Sequence, residues 1–134
     1  MSRIRSKNTK PELRLRGALH KAGLRFRVQT KDLPGTPDIS IKKYKIIIDV
    51  RGCFWHGHEK CRDGHIPKTN SKFWIEKISR NKKRDLLNEK KIKSLGYKHF
   101  VIWECDIRKP EVLLKEVKKI KKHVVALRKP SLRQ

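Results

Sequence analysis

Pro37-Asp38 and Asp49-Val50-Arg51, with their acids eleven residues apart, are the first residues in this chain whose types and spacing could do chemistry. Acids delivered by neighbouring strands bind a divalent cation through oxygen, and a guanidinium two residues further along the same strand face can meet charge developing on phosphorus. Mg²⁺ suits the task because it takes oxygen ligands and keeps several waters, one of which can become a nucleophile. An Asp opening a strand is also a common turn residue, so the pair alone is not diagnostic. Asp38 and Asp49 are candidate metal ligands, and Arg51 the candidate stabiliser of phosphoryl charge.

Directly downstream comes Gly52-Cys53-Phe54-Trp55-His56-Gly57-His58-Glu59-Lys60-Cys61, with Cys105 much later. Thiolate and imidazole are preferred zinc ligands, and a closed site of Cys53, His58, Cys61 and Cys105 would brace a loop whose composition offers no core of its own. His65 is the alternative to His58, and buried free thiols are the plainer reading of the cysteines. Phe54 and Trp55 sit in this polar loop, where large apolar side chains are suited to wedging between base pairs. Trp74, on the next helix, shares that reading with an ordinary core position. His56 is a spare imidazole able to exchange a proton near neutral pH, with a phosphate contact or a zinc ligand as its other uses.

These residues need positioning elements. Thr9-Lys10-Pro11-Glu12 reads as a capping box opening a helix with Leu15, Ala18, Leu19 and Ala22 on one stripe, ending near Gly23. Glu12 lies along that stripe, so it is either a capping carboxylate or an acid looking inward toward a site. Leu24 to Gln29 alternates as a half-buried strand, with Leu24, Phe26 and Val28 inward. Asp38 to Ile41 forms a second strand, with Asp38 and Ser40 facing opposite to Ile39 and Ile41. Ile46, Ile48 and Val50 line one face of a third, leaving Asp49 and Arg51 on the other. Residues 52 to 70 are aperiodic. Asn70 or Ser71 can cap a helix to about Leu95, stopped by Gly96, with Trp74, Ile78, Asn81, Asp85 and Ile92 on one stripe. Tyr97 to Trp103 is apolar on both faces except at Lys98 and His99, as for an interior strand flanked by helices. A last amphipathic helix runs from about Pro110 to Lys122. The expected fold class is α/β: a central mixed sheet flanked by helices, in a single domain of residues 1–134 with a basic arm at 1–8 and a basic tail at 123–134.

The chain has 37 Lys and Arg against 13 Asp and Glu, a formal net charge of +24. An excess of that size draws polyanions, and each phosphate neutralised adds counterion-release energy. Nucleic acid is the expected partner; a membrane surface is disfavoured, because no long basic amphipathic helix stands alone. No apolar run is long enough to span a bilayer and the N-terminus carries no secretion signal, so a cytoplasmic protein is expected. Three cysteines in a reducing compartment do not make a disulfide framework.

The runs Arg5-Ser6-Lys7-Asn8, Leu33-Pro34-Gly35 with Pro37-Asp38, Gly52-Cys53-Phe54-Trp55-His56, Phe73-Trp74 with Glu76-Lys77, Asn81 with Arg84-Asp85, and Trp103-Glu104-Cys105 resemble the very short patch repair endonucleases. The resemblance extends from about Arg3 to Cys105. It implies a restriction-endonuclease-like fold, a structural zinc, and Mg²⁺-dependent nicking of double-stranded DNA beside a T:G mismatch, in a bacterial, nucleoid-associated protein expected to act as a monomer. By position it makes Asp38 the principal Mg²⁺ ligand, aided by the main-chain carbonyl of Val50, and has Glu12 hold metal-bound water. It has His56 assist protonation and Asp85 polarise His56 or order water. It gives zinc to Cys53, His58, Cys61 and Cys105, and the base stack to Phe54, Trp55 and Trp74. Arg5, Lys7 and Asn8 would contact the DNA backbone. Two features depart from the family pattern. Arg51 replaces the His that precedes Gly-Cys-Phe-Trp, with Asp49 an added carboxylate, and one extra residue separates His58 from Cys61. Arginine stays protonated, so it can stabilise the pentacoordinate phosphate but cannot act as a base. Two alternatives stay open: a site-specific endonuclease, restriction-associated or homing-type, on matched duplex, and a non-catalytic zinc-bearing nucleic-acid-binding protein.

Overall fold

The computed structural model describes residues 9–53, 58 and 66–128. Helix α1 (Lys10–Lys21) opens on Thr9, whose hydroxyl accepts the Glu12 N–H at 3.4 Å, with Pro11 in the first turn, where a missing N–H costs nothing. The Glu12 carboxylate turns to Arg16, one helical turn on, at 3.3 Å. Strands β1 (Arg27–Val28), β2 (Ile39–Ile41) and β3 (Ile46–Arg51) follow, a 3₁₀ turn over Lys42–Tyr44 joining the last two. Then come α2 (Ser71–Ser94), β4 (Lys98–Trp103), the single-turn α3 (Glu104–Ile107) and α4 (Pro110–Arg128). No helix among the described residues is long and apolar enough to cross a membrane.

The mixed sheet has the order β1-β2-β3-β4, antiparallel up to β3 and parallel between β3 and β4. Side-chain alternation along β3 sends Ile46 and Ile48 to one face, where Leu15 and Leu19 of α1, Ile107 of α3 and Val117, Ile120 and Val124 of α4 close the main core. Ile47 faces the other way, into a smaller cluster with Leu33, Ile92 of α2 and Tyr97. Helices therefore cover both faces, and Asp49 and Arg51 share their face with α2.

Several expectations are corrected. Regular pairing in β1 covers only Arg27 and Val28, and Val28 is 41% exposed, because this is an edge strand interrupted by Gln29 in a left-handed conformation (φ 50°). The Gln29 and Thr30 N–H groups still donate to the Asp38 and Pro37 carbonyls, so the kink re-aims the chain without orphaning its backbone. β4 ends the sheet among the described residues and so is not the interior strand expected, although helices pack on it as expected. α4 continues to Arg128, so residues 123–128 are helix and not tail: Val124, 1% exposed, extends the Leu113, Val117, Ile120 stripe by one more step of four. α3 was not expected, being a single turn too short for periodicity to show. Ser40 is buried and satisfied by a 2.6 Å hydrogen bond with the Thr30 hydroxyl.

Candidate active site and metal centre

Because Ile39 pairs with Ile48 in an antiparallel ladder, Asp38 arrives opposite Asp49. The main chain fixes both. The Val50 N–H donates to Asp38 Oδ2 at 2.7 Å, and the Asp38 N–H donates to Asp49 Oδ1 at 3.3 Å. The second Asp49 oxygen lies 2.8 Å from Nε2 of His99 on β4. Burial, and then the charges of Glu12 and Asp49, push the Asp38 carboxyl up to about 7, against the Val50 N–H and the Arg16 guanidinium, which favour its ionised form.

A groove of about 980 Å³ opens here, and Glu12, Asp38, Asp49, Val50, Arg51 and Asp85 all line it. Candidates from α1, the start of β2, β3 and α2 thus converge on one space. Glu12 is 5% exposed, so the capping position and the inward-looking acid are the same residue. Lys77, Asn81, Arg84 and Asn88 contribute the α2 wall. The loop carrying Asp38 is set against that wall at Gly35: its φ is +76°, and a Cβ there would meet Asn88 Nδ2 at 2.8 Å. A side chain there would be strained at this φ and would have to displace the Asn88 amide.

Arg51 lines the groove, but its guanidinium is engaged with α2. It lies 2.7 Å from Glu89 Oε2 and 3.9 Å from Asp85 Oδ2, and its Cζ sits 6.0 Å from the Trp103 ring centroid. Glu89 is a residue that sequence reasoning missed, although it falls four positions after Asp85 on the same helical stripe. His99 and Trp103 were also missed as site residues. They share the face of Asp49 and Arg51 only because β4 runs parallel to β3 with His99 beside Ile47 and Trp103 beside Arg51, a register that no local pattern carries.

Past the end of β3, Cys53, His58 and Cys105 bring their ligand atoms within 4.8 Å of one another. Cys53 is buried, and Cys105 Sγ lies 3.6 Å from His58 Nδ1. The His58 N–H donates to the Cys53 carbonyl at 2.9 Å. The His58 ring stacks on Trp103 with centroids 4.1 Å apart and planes 6° apart. Two sulfurs and one imidazole nitrogen form a donor set of the kind that suits Zn²⁺, which takes four such ligands in a structural site. Trp103 lies between this cluster and Arg51.

Trp74 is half-buried near the start of α2, its ring edge-on to Phe73 at 4.9 Å. Phe54, Trp55, His56, Cys61, His65, Arg5, Lys7 and Asn8 lie outside the described residues.

A family model described as DNA mismatch endonuclease Vsr matches residues 1–63. The chain is 40% identical over 124 residues to the Type II nicking enzyme V.NmeAIP of Neisseria meningitidis, covering 92% of this chain and 88% of that protein. It is 45% identical over 107 residues to the Type II nicking enzyme V.XorIIP of Xanthomonas oryzae pv. oryzae, covering 80% and 78%. It is 40% identical over 116 residues to the DNA mismatch endonuclease Vsr of Escherichia coli, covering 87% and 74%. With these relatives the enzyme class is that of a DNA endonuclease. The chain belongs to the Vsr family.

Proposed function

We propose that this chain nicks one strand of duplex DNA beside a T:G mismatch, in a Mg²⁺-dependent reaction, as a monomeric single-domain enzyme of the bacterial cytoplasm. The observation that carries the reading is the pairing of Asp38 with Asp49 in a groove also lined by Glu12, on a protein of net charge +24. An all-oxygen donor set of Asp38, Asp49 and the Val50 carbonyl fits Mg²⁺. Bound there, the ion would supply Lewis-acid polarisation of the phosphate and a water activated at neutral pH. The protein's own groups do the rest. Glu12 accepts a hydrogen bond from the attacking water and orients it. Lys77 and Arg84, on the α2 wall, attract the DNA backbone. Asp38 must be ionised to ligate, so its raised pKa makes ligation release a proton below neutral pH. His56 protonates the leaving oxygen, and Phe54, Trp55 and Trp74 enter the base stack at the mismatch. Zn²⁺ on Cys53, His58, Cys61 and Cys105 would hold the loop that presents Phe54 and Trp55.

A second reading, nicking of fully paired DNA at a fixed sequence, draws on the engagement of Arg51 with Glu89 and on the relatives named Type II nicking enzymes. Two duplexes identical except for T:G or T:A at one position separate the readings. With Mg²⁺, the expected result is nicking of the T:G duplex at least about 100-fold faster, a difference of roughly 3 kcal/mol in transition-state binding. Equal rates would favour the second.

A further inference from the structure

We propose that His99 is a positioning residue for the metal-binding carboxylates, acting through Asp49. This rests on the reading of the groove as a Mg²⁺ site. In the parallel β3–β4 ladder Ile47 is level with His99 and Asp49 with Val101, so His99 and Asp49 are diagonal neighbours on one sheet face. The His99 Nε2 to Asp49 Oδ2 distance is 2.8 Å. An ionised carboxylate only accepts, so Nε2 carries the hydrogen of this bond.

Asp49 is thereby tied at both oxygens, Oδ1 by the Asp38 N–H and Oδ2 by His99. Asp38 is tied in turn by the Val50 N–H. The result is a continuous chain, His99 to Asp49 to Asp38 to the Val50 N–H, joining β4, β3 and the residue that leads into β2 and passing through both candidate carboxylates. Each carboxylate oxygen has a second lone pair that these bonds leave available to a cation. Asp49 lines the groove and His99 does not, so the imidazole stands behind the carboxylate. A surface ion pair would leave both partners largely in water, whereas the His99 and Asp49 side chains are 12% and 24% exposed. This is the arrangement in which an outer hydrogen bond sets the direction of a metal-binding carboxylate, and loss of such a bond typically lowers metal affinity by about 10- to 100-fold.

The test separates reach from packing. His99→Gln can extend an N–H donor to the position of Nε2, while His99→Asn is polar but too short. Mn²⁺ is titrated into the zinc-loaded protein and free ion is read by electron paramagnetic resonance, with the half-saturating Mg²⁺ for nicking measured in parallel. The expected result is binding within about 3-fold of wild type for His99→Gln and weakening by about 10-fold or more for His99→Asn. Wild-type affinity in His99→Asn, or equal losses in both variants, overturns the proposal. Asp38→Ala in the same titration tests the underlying reading: unchanged Mn²⁺ binding there would remove the groove site itself, whereas its loss together with unaffected His99→Asn would overturn the role of His99 alone.

Discussion

Asp38 and Asp49 stand at the end of the antiparallel β2–β3 ladder, one step past its last pair, Ile39 with Ile48, and are gripped by main-chain N–H groups, whereas Cys53 and His58 stand where β3 has given way to loop, with His58 meeting Cys105 across 47 residues of sequence. The groove gets its geometry from the sheet. Among the described residues, the Cys/His cluster shows a backbone bond from the His58 N–H to the Cys53 carbonyl and the His58 ring stacked on Trp103. A site built at the end of a strand ladder exists before its ion arrives and carries a cost for crowding acids together. A site built on a loop carries no such cost, but draws its rigidity from the ion it holds. Removing the ion from the first should affect chemistry, and from the second, folding.

The largest effect expected from this contrast is catalytic. Asp38→Ala should lower nicking by on the order of 10³-fold, about 4 kcal/mol, while the protein stays folded by circular dichroism. A variant that unfolds would show that the groove is less independent of its acids than the ladder suggests. Next is thermal stability. Stripping zinc with a chelator, or replacing Cys105 by Ser, should remove roughly 3 kcal/mol and lower Tm by about 10 °C, with Asp38-dependent Mn²⁺ binding persisting below the new transition. A Tm unchanged by chelation would mean that the thiols are simply buried.

The smallest effect is a pH dependence belonging to the groove. In the folded metal-free protein the Asp38 carboxyl is pushed from 3.8 to about 7, so between these values the folded chain holds a proton that the unfolded chain has released. The contribution is therefore fully present below about pH 4 and lost as pH rises toward 7. Metal-free protein should lose on the order of 2 kcal/mol from this group between pH 5 and pH 8 in urea melts. Asp38→Asn should flatten that slope, and saturating Mg²⁺ should recover stability at pH 8. A slope equally steep in Asp38→Asn would assign it to other groups.

The parts of the fold that could be read in the residues are those set by local periodicity. The α1 cap at Thr9, the alternation along β3 and the stop at Gly96 need only a few neighbours to be seen. Asp38 and Asp49 were legible as a pair because a short hairpin-like connection makes antiparallel neighbours of adjacent strands. His99 was not, because its place beside Asp49 depends on the register of two strands separated by the whole of α2. Arg51 was legible as a charge facing the groove, yet its engagement with Glu89 needed the azimuth of α2 against the sheet. The end of α4 was set too early, at Lys122, because a dense run of lysines hid the apolar step to Val124.

The parallel pairing of β3 with β4 also governs when this enzyme can exist. Asp49 and His99 are 50 residues apart, and His58 and Cys105 are 47. Closing a loop of that size is entropically costly before any contact compensates for it, and parallel pairings of this kind form late. On a growing chain, β2 and β3 can join as soon as they emerge, bringing the acids together. The support for them waits until β4 has been made. A half-synthesised chain would thus carry paired acids without His99 behind them, and the groove is completed only once β4, which leads directly into Cys105 of α3, has been made.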